Sequence, residues 1–306
     1  MLRVTFMGTS SARPTVSRNT SALAVQREGD LYLFDCGEGT QRQMMRYAVG
    51  FTVQDIYITH LHADHYLGTV GLLRTMSLQD REEPLAIYAP PGDEDLLRKA
   101  VGFELDELNY PVEISPLAPG ESVRHGGYEI AAYAASHPGG ANGYVLREQE
   151  RPGRFFPERA REIGVPEGPL FGKLQRGEAI ALEDGKQVQP RDVMGPPRPG
   201  RCVVYTGDTR PCEATVQAAG GCDLLIHEAT FSEEEAERAG RTGHSTAAQA
   251  GEIARRCGAR RLVLTHLSAR YSERPHALER EAKRACGACD VVVAYDGLAL
   301  EVPLRD

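Results

Sequence analysis

Apolar residues fall along this chain in short runs separated by turn-forming clusters, and the runs come in two batches. In the first half, residues 2–7, 21–26, 31–35, 55–59, 85–89, 112–117 and 128–135 read as strands. Helical spacing lies between some of them, at 39–48, 66–78 and 92–103. The second half predicts strands at 202–206, 223–227, 261–265 and 291–295, with helices near 212–219, 245–257 and 276–286. Meandering strands with interleaved helices predict an α/β (α+β) fold of two sheets packed face to face with helices outside. No internal repeat of short fixed period is visible.

Residues 148–200 break this rhythm. Pro152-Gly153, Gly168-Pro169, Asp184-Gly185 and Gly195-Pro196-Pro197 punctuate a stretch whose apolar spacing is thin. One short helix near 157–163 and a charged hairpin around Asp184-Gly185 are expected. A segment that long with so little core periodicity does not read as a plain connection, and a protruding insertion is the better description.

The 306 residues suffice for one large domain or two small ones, and 41% hydrophobic with 25% charged residues is the balance of a globular protein with a real core. No apolar run approaches the ~18 residues of a membrane span, and the start, Leu2 to Phe6, reads as a strand rather than a secretory leader. The seven cysteines are scattered; only Cys286 and Cys289 have CxxC spacing, without a second pair to complete a zinc knuckle. All are expected as reduced thiols of a cytoplasmic protein. A net charge of −8 argues against sequence-blind binding to nucleic acid over the whole surface. Residues 147–201 lean the other way, with eleven Lys/Arg against nine Asp/Glu.

The chemistry concentrates in Thr59-His60-Leu61-His62-Ala63-Asp64-His65, directly after the apolar run Ile56-Tyr57-Ile58. Imidazoles with a carboxylate suit zinc or another borderline divalent ion. On a strand end His60 and His62 point the same way. A helical turn beginning at Ala63 redirects Asp64 and His65 to a second point, so one segment can start two metal sites. Further ligands should be His or Asp at strand ends. His137 follows the strand 128–135, Asp208 follows Val203-Val204-Tyr205, and His266 follows Leu262 to Thr265. Taken singly, each has an ordinary alternative as a capping Asp or a buried, hydrogen-bonded His. Asp208 is the natural carboxylate to bridge two cations. The strand 223–227 closes with the pair His227-Glu228, and Gly243-His244-Ser245-Thr246 precedes a helix whose N-cap is Ser245 or Thr246. His244 held there can act as a general acid, with Glu228 orienting its ring.

Taken in order, these residues resemble the metallo-β-lactamase-fold hydrolases, and more narrowly the ribonuclease Z family of tRNA 3′ endonucleases. The HxHxDH run marks only the superfamily. Asp35 to Gln43, the His227-Glu228-Ala229-Thr230 segment and the Pro14 to Asn19 loop are narrower signals. The resemblance covers essentially the whole chain and implies a single αββα sandwich over residues 1–306. Two zinc ions per subunit are implied, with manganese an admissible substitute. One ion would take His60, His62, His137 and Asp208; the other Asp64, His65, Asp208 and His266. Asp64 would accept the proton of the attacking water, His244 and Glu228 would assist the leaving group, and Asp35 and His227 would stand behind the ligands. Residues 148–200 resemble the family's flexible tRNA-binding arm, whose tip, Gly164 to Pro169, grips a tRNA elbow; Gly168, Pro169, Lys173 and Arg176 are its contact candidates. Arg18 and Asn19 lie in the loop that would sense nucleotides after the discriminator base. A homodimer acting on precursor tRNA is implied, with no membrane and no obligatory protein partner. With a surplus of only two positive charges, the arm is expected to rely on RNA shape as well as on phosphates. The rival readings are a dinuclear-zinc phosphodiesterase for a small nucleotide-like substrate and a non-catalytic RNA-binding module with structural zinc.

Overall fold

Side chains alternate across each strand, and here both faces of both sheets are apolar. In β1 (Leu2–Gly8), Val4 and Phe6 face one way and Met7 the other; in β3 (Asp30–Cys36), Tyr32 and Phe34 oppose Leu31 and Leu33. A sheet apolar on both faces needs a cover on each side, and four layers result. The computed structural model describes residues 1–105 and 107–305, the side chains of 103–105 excepted.

The first sheet also contains β2 (Ala22–Arg27), β4 (Val53–Tyr57), β5 (Leu85–Ala89), β6 (Val112–Pro116) and, at its other edge, a final strand Ala299–Glu301 beside β1. Strands β3 to β6 run parallel. Helices α1 (Thr40–Arg46), α3 (Thr69–Leu78) and α4 (Glu94–Leu105) cover its outer face through Met44, Leu72, Leu73, Met76, Leu97 and Val101. Before α3 comes α2 (Ala63–Tyr66), a single turn. The helix predicted over 66–78 is interrupted at Gly68, where a Cβ would sit 2.0 Å from the Gly37 carbonyl oxygen.

The second sheet has β7 (Ser122–His125), β8 (Tyr128–Ala135) and β9 (Ala141–Glu148) at one side. Within the second unit described below lie β10 (Ile180–Ala181) and β11 (Gln187–Val188). The second sheet continues with β12 (Cys202–Tyr205), β13 (Leu224–Glu228), β14 (Arg261–Thr265) and β15 (Asp290–Val293), all parallel. The last strand, Ala299–Glu301, is β16. The inner faces meet in an aromatic-rich core of Phe6, Tyr32, Phe34 and Tyr57 against Tyr128, Tyr144, Val203 and Ile226. Outside the second sheet, a helix over Glu213–Ala218, another over Ala247–Cys257 and a third over His276–Cys286 close the fourth layer.

Sequence periodicity does not pick out β9. Gly139-Gly140 and Asn142-Gly143 read as turn signals, yet Ala141 to Leu146 are buried because β9 runs between β8 and β12. One expectation is corrected. Cys286 and Cys289 are not free thiols but joined by a disulfide; the helix ends at Cys286, the chain turns at Gly287 (φ 78°), and the two Cα atoms come to 5.9 Å, a span a disulfide bridges. The other five cysteines take no part in a disulfide among the described residues.

By its internal contacts the chain divides into two units, the sandwich of Met1–Arg147 with Cys202–Pro303, and Glu148–Arg201 with the residues from Leu304. The second has its own small core of Ala160, Val165, Leu174, Ile180, Val188 and Val193. Its helices are α5 (Pro157–Ile163), α6 (Pro169–Gln175) and α7 (Pro190–Val193), each opening on a proline, whose fixed φ and missing N–H suit a first turn. Strands β10 and β11 form the hairpin around Asp184-Gly185. A buried bidentate pair, Arg201 with Glu148 at 2.7 and 2.8 Å, closes the two ends of the segment on each other. The remaining helices of the sandwich are α8 (Glu213–Ala218), α9 (Ala236–Thr242), α10 (Ala247–Cys257) and α11 (His276–Cys286).

Candidate metal centre

Parallel strands end on the same side, so the residues just beyond β3, β4, β12, β13 and β14 gather at one edge of the sandwich. Asp35, His60, His62, Asp208, Glu228 and His266 all stand there, joined by Asp64 and His65 from α2 and by His137 after β8. The backbone is strained at this edge: Ala12, Asp35 and His266 have φ of 61°, 59° and 55° without being glycine, each a cost of about 1–3 kcal/mol of the kind that collects at functional sites. Gly207 (φ 56°) is required, since a Cβ there would meet Thr59 at 2.7 Å.

Two clusters stand out, beside a third that joins His244 to Asp208 and His266. His60, His62, His137 and Asp208 can bring one ligand atom each within 4.8 Å of one another, and so can Asp64, His65 and His266. Asp208 touches both: its Oδ2 lies 3.7 Å from His60 Nε2 and 3.5 Å from His65 Nε2, and its Oδ1 lies 3.2 Å from His266 Nε2. It stands between the two clusters.

The hydrogen bonds behind the rings decide which nitrogen faces inward. His65 Nδ1 donates to Asp35 Oδ2 at 2.7 Å, and His137 Nδ1 donates to the Gly243 carbonyl at 2.9 Å. The Thr59 hydroxyl donates to Asp35 Oδ2 at 3.0 Å, so at 3.0 Å from His60 Nδ1 it must accept. The Thr230 hydroxyl likewise donates to Glu228 Oε2 at 2.7 Å and accepts from His266 Nδ1 at 3.0 Å. Four imidazoles therefore turn Nε2 to the centre, three of them toward carboxylate oxygens. In a neutral ring, an Nε2 lone pair facing an anion at 3.2–3.7 Å is repulsive until a cation, a proton or a metal ion, lies between them. Consistently, His60 Nε2, His65 Nε2 and Asp208 Oδ1 are buried with no hydrogen-bond partner among the described residues. These residues fit divalent metal ions, with the outer hydrogen bonds that orient metal-binding histidines already in place.

Charge in the site follows the same plan. Burial works against ionised Asp208, but His266 and His65 hold it well below the usual carboxylate range; Asp64 is lowered in the same way, with His266 foremost. Burial also opposes charge on His65, yet Asp208 and Asp35 raise it well above the usual imidazole value, whereas burial, reinforced by His65, depresses His60.

Beside the clusters, His244 Nδ1 lies 2.9 Å from Glu228 Oε1 and 3.8 Å from Asp208 Oδ2. Glu228 is fully buried and also accepts from the backbone N–H groups of Thr209 and Thr230 at 3.0 and 3.1 Å. Burial disfavours an imidazolium here, but Glu228 outweighs it and pushes His244 up to about 9. A capping box between Thr246 and Gln249 starts α10 two residues on and fixes the approach of His244.

Not every expected residue joins. The pleat of β13 sends His227 to the face opposite Glu228; its Nδ1 turns back to the Glu228 carbonyl at 2.7 Å and its Nε2 has no partner among the described residues, so it does not back a ligand. Arg18 is only 5% exposed, and its Nη1 donates to Thr9 Oγ1 and the Ala294 carbonyl, both at 2.7 Å, which makes it an internal strut of its loop rather than a hand held out to substrate. Asn19 is half-buried and donates to the Glu38 carbonyl at 2.8 Å. In the second unit Gly168, Pro169, Lys173 and Arg176 are exposed at the two ends and side of α6, with Arg176 paired to Glu178 at 2.9 Å. Conversely, sequence reading misses Thr59, Thr230, Tyr205 and Asp296. Hydroxyl residues carry no metal signature, and Asp296 is remote in sequence from the loop it serves. It accepts from Thr9 Oγ1, Asn19 N and Gln43 Nε2 at 2.7, 2.6 and 2.8 Å. That loop in turn delivers the Ala12 N–H to Asp64 Oδ2 at 2.7 Å.

Four layers and a His/Asp cluster at the strand ends define a metal-dependent hydrolase of the metallo-β-lactamase fold. The profile of the beta-lactamase superfamily domain matches residues 190–267, and that of the anti-Pycsar protein Apyc1 matches residues 2–149. A Ribonuclease Z of Myxococcus xanthus is 54% identical over 306 residues, covering 100% of this chain and 99% of that one; one of Natronomonas pharaonis is 53% identical with the same coverage. The crystal structure of the short form of human tRNase Z (ELAC1) superposes with a TM-score of 0.71 at 27% identity, over 99% of this chain and 100% of that one. The chain belongs to the ribonuclease Z family.

Proposed function

We propose that the protein is an endoribonuclease that removes the 3′ trailer of precursor tRNA by hydrolysis, leaving a 3′-hydroxyl on the tRNA. The metal centre supports phosphodiester hydrolysis in general. What carries the reading on to tRNA is that identity of about half to proteins named Ribonuclease Z runs through the full length, the second unit included.

His60, His62, His137 and Asp208 would hold one zinc ion and Asp64, His65, Asp208 and His266 the other, with manganese an admissible substitute. Such ions bring the pKa of water toward neutrality and offset charge gathering on the phosphoryl oxygens. Asp64, its Oδ2 steadied by the Ala12 N–H, takes the proton of the attacking water. Asp35 keeps the His65 ring turned inward. His244, charged through neutral pH by virtue of Glu228, gives its proton to the departing 3′ oxygen.

The unit from Glu148 to Arg201 would act as the tRNA-binding arm, with Gly168, Pro169, Lys173 and Arg176 at its contact end and a second subunit supplying the catalytic centre. Much of its charge is already spent internally, since Arg161 pairs with Glu167 and Glu158 and Arg176 with Glu178. Recognition of RNA shape fits that balance better than a phosphate clamp does. Among the described residues no helix is long and apolar enough to cross a membrane, and a cytoplasmic site of action agrees with tRNA as substrate.

The test compares the zinc-loaded protein with a variant lacking residues 150–199 on two substrates, a precursor tRNA with a 3′ trailer and bis(p-nitrophenyl) phosphate. The proposal expects tRNA cleavage to collapse and small-diester hydrolysis to survive. Full tRNA cleavage without the segment contradicts the role of the arm; failure of the intact protein to cut tRNA, with the small diester turned over, favours a small nucleotide-like phosphodiester as substrate.

A further inference from the structure

Alongside the metal cluster lies a cavity of about 430 Å³, walled by His244 and Phe231 on one side and by Ala12 on another, and rimmed by three arginines, Arg13, Arg238 and Arg270. All three are exposed. They come from three separate places in the sequence, the loop after β1, α9 and the turn after β14.

Each is placed by local contacts, and those of Arg13 also serve the catalytic edge. The turn that aims the Ala12 N–H at Asp64 is closed by Arg13 N–H donating to the Ser11 carbonyl at 2.7 Å, so Arg13 leaves the chain right beside Asp64. Its side chain makes no hydrogen bond or ion pair among the described residues. Arg238 lies over the Phe231 ring, 5.5 Å from its centroid, with Nη1 3.6 Å from Glu235 Oε1. Arg270 Nη1 reaches the same oxygen at 2.5 Å, and the Tyr271 hydroxyl is bonded to the other oxygen of Glu235. One carboxylate thus sets two guanidiniums side by side without cancelling them, and the rim keeps a surplus of two positive charges in a chain whose net charge is −8. Paired guanidiniums with fixed spacing match phosphate oxygens, which accept their N–H groups two at a time.

The position of His244 gives the cavity a direction. Hydrolysis breaks the bond from phosphorus to the 3′ oxygen; His244 protonates that oxygen, and the phosphate stays with the trailer. Nucleotides 5′ of the cut therefore lie on the His244 side. We infer that this cavity is a phosphate-binding cleft for the RNA strand immediately 5′ of the scissile bond, gripped by Arg13, Arg238 and Arg270. The inference rests on the precursor-tRNA reading and on the acid role of His244.

The test uses full-length zinc-loaded protein, the variants Arg238→Gln, Arg270→Gln, their double and Arg13→Gln, and thermal melts to verify folding. KM for precursor tRNA is measured against salt, with normal substrate and with a neutral methylphosphonate at the first linkage 5′ or the first linkage 3′ of the cut. The expected result is a salt slope that falls by about 0.7 per arginine removed, the single-strand value. The wild type should lose binding on the 5′ methylphosphonate, and the double variant should no longer distinguish it. An unchanged slope, or a penalty confined to the 3′ linkage, overturns the cleft while leaving the tRNA reading standing. A wild type that turns over bis(p-nitrophenyl) phosphate but cuts no precursor tRNA overturns both.

Discussion

Asp35 offers the sharpest perturbation, because it stands behind the His65 ring and orients an imidazole that would hold a metal. Its carboxylate is fully buried and accepts four hydrogen bonds: Thr59 N at 2.8 Å, Thr59 Oγ1 at 3.0 Å, His65 Nδ1 at 2.7 Å and Tyr205 OH at 2.8 Å. Three of the four converge on Oδ2. In Asp35→Asn the amide nitrogen is therefore best placed at the Oδ1 position, where it faces only the Thr59 N–H. One buried donor then opposes another, at about 1–3 kcal/mol, and the three remaining bonds lose their charge assistance, each becoming about half as strong. The apo protein should lose roughly 3 kcal/mol of stability on these grounds. Because the bond that holds His65 Nδ1–H is weakened, metal affinity should also drop about 10–100-fold, the usual effect of disturbing an outer partner. Urea unfolding in chelator reads the first quantity, and competition with a fluorescent zinc chelator reads the second. If Asp35→Asn keeps its zinc affinity within twofold of the wild type, the account of how His65 is oriented is wrong, whatever the stability change.

Two further outcomes follow from the same geometry. The His244 imidazolium is raised to about 9 against burial because Glu228 faces it, so the acid is present at neutral pH and is lost only as pH climbs through about 9. Glu228→Gln removes that support, and the alkaline limb of kcat should move down toward the ordinary imidazole range near ~6.5; a limb that stays in place removes His244 from the proton transfer. Asp296→Ala leaves the donors of Thr9, Asn19 and Gln43 without their acceptor and loosens the loop that brings Ala12 to Asp64. We expect kcat to fall about tenfold or more, as for a small misplacement of a catalytic group, with partial rescue in Asp296→Asn. Full activity in the alanine variant would show that the loop does not steady Asp64.

The sandwich was legible because its strands are apolar on both faces and end in punctuated turns, and the metal cluster because His60 to His65 has no ordinary structural use. Residues at the ends of separate strands, His137, Asp208 and His266, were found by the same logic of strand termini. What escaped was set by the third dimension. Strand β9 hides behind Gly139-Gly140 and Asn142-Gly143, since burial between two neighbours overrides weak local preference. The inward turn of Arg18 and the opposite facing of His227 are matters of loop closure and pleat, invisible to residue type. Thr59 and Thr230 set the tautomers of His60 and His266, but a threonine at a strand end reads like any other. The link from Cys286 to Cys289 depends on the turn at Gly287 rather than on spacing alone.

The central claim is hydrolytic trailer removal by a centre in which Asp64 accepts the proton of water. It is tested most directly by mapping both ends of the products when zinc-loaded protein and its Asp64→Ala variant meet one precursor tRNA. The account predicts a single cut just after the discriminator nucleotide, a 3′-hydroxyl on the tRNA and a 5′-phosphate on the trailer, with no cut by the variant. A 2′,3′-cyclic phosphate on the tRNA, or the same cut made by the Asp64 variant, would contradict it.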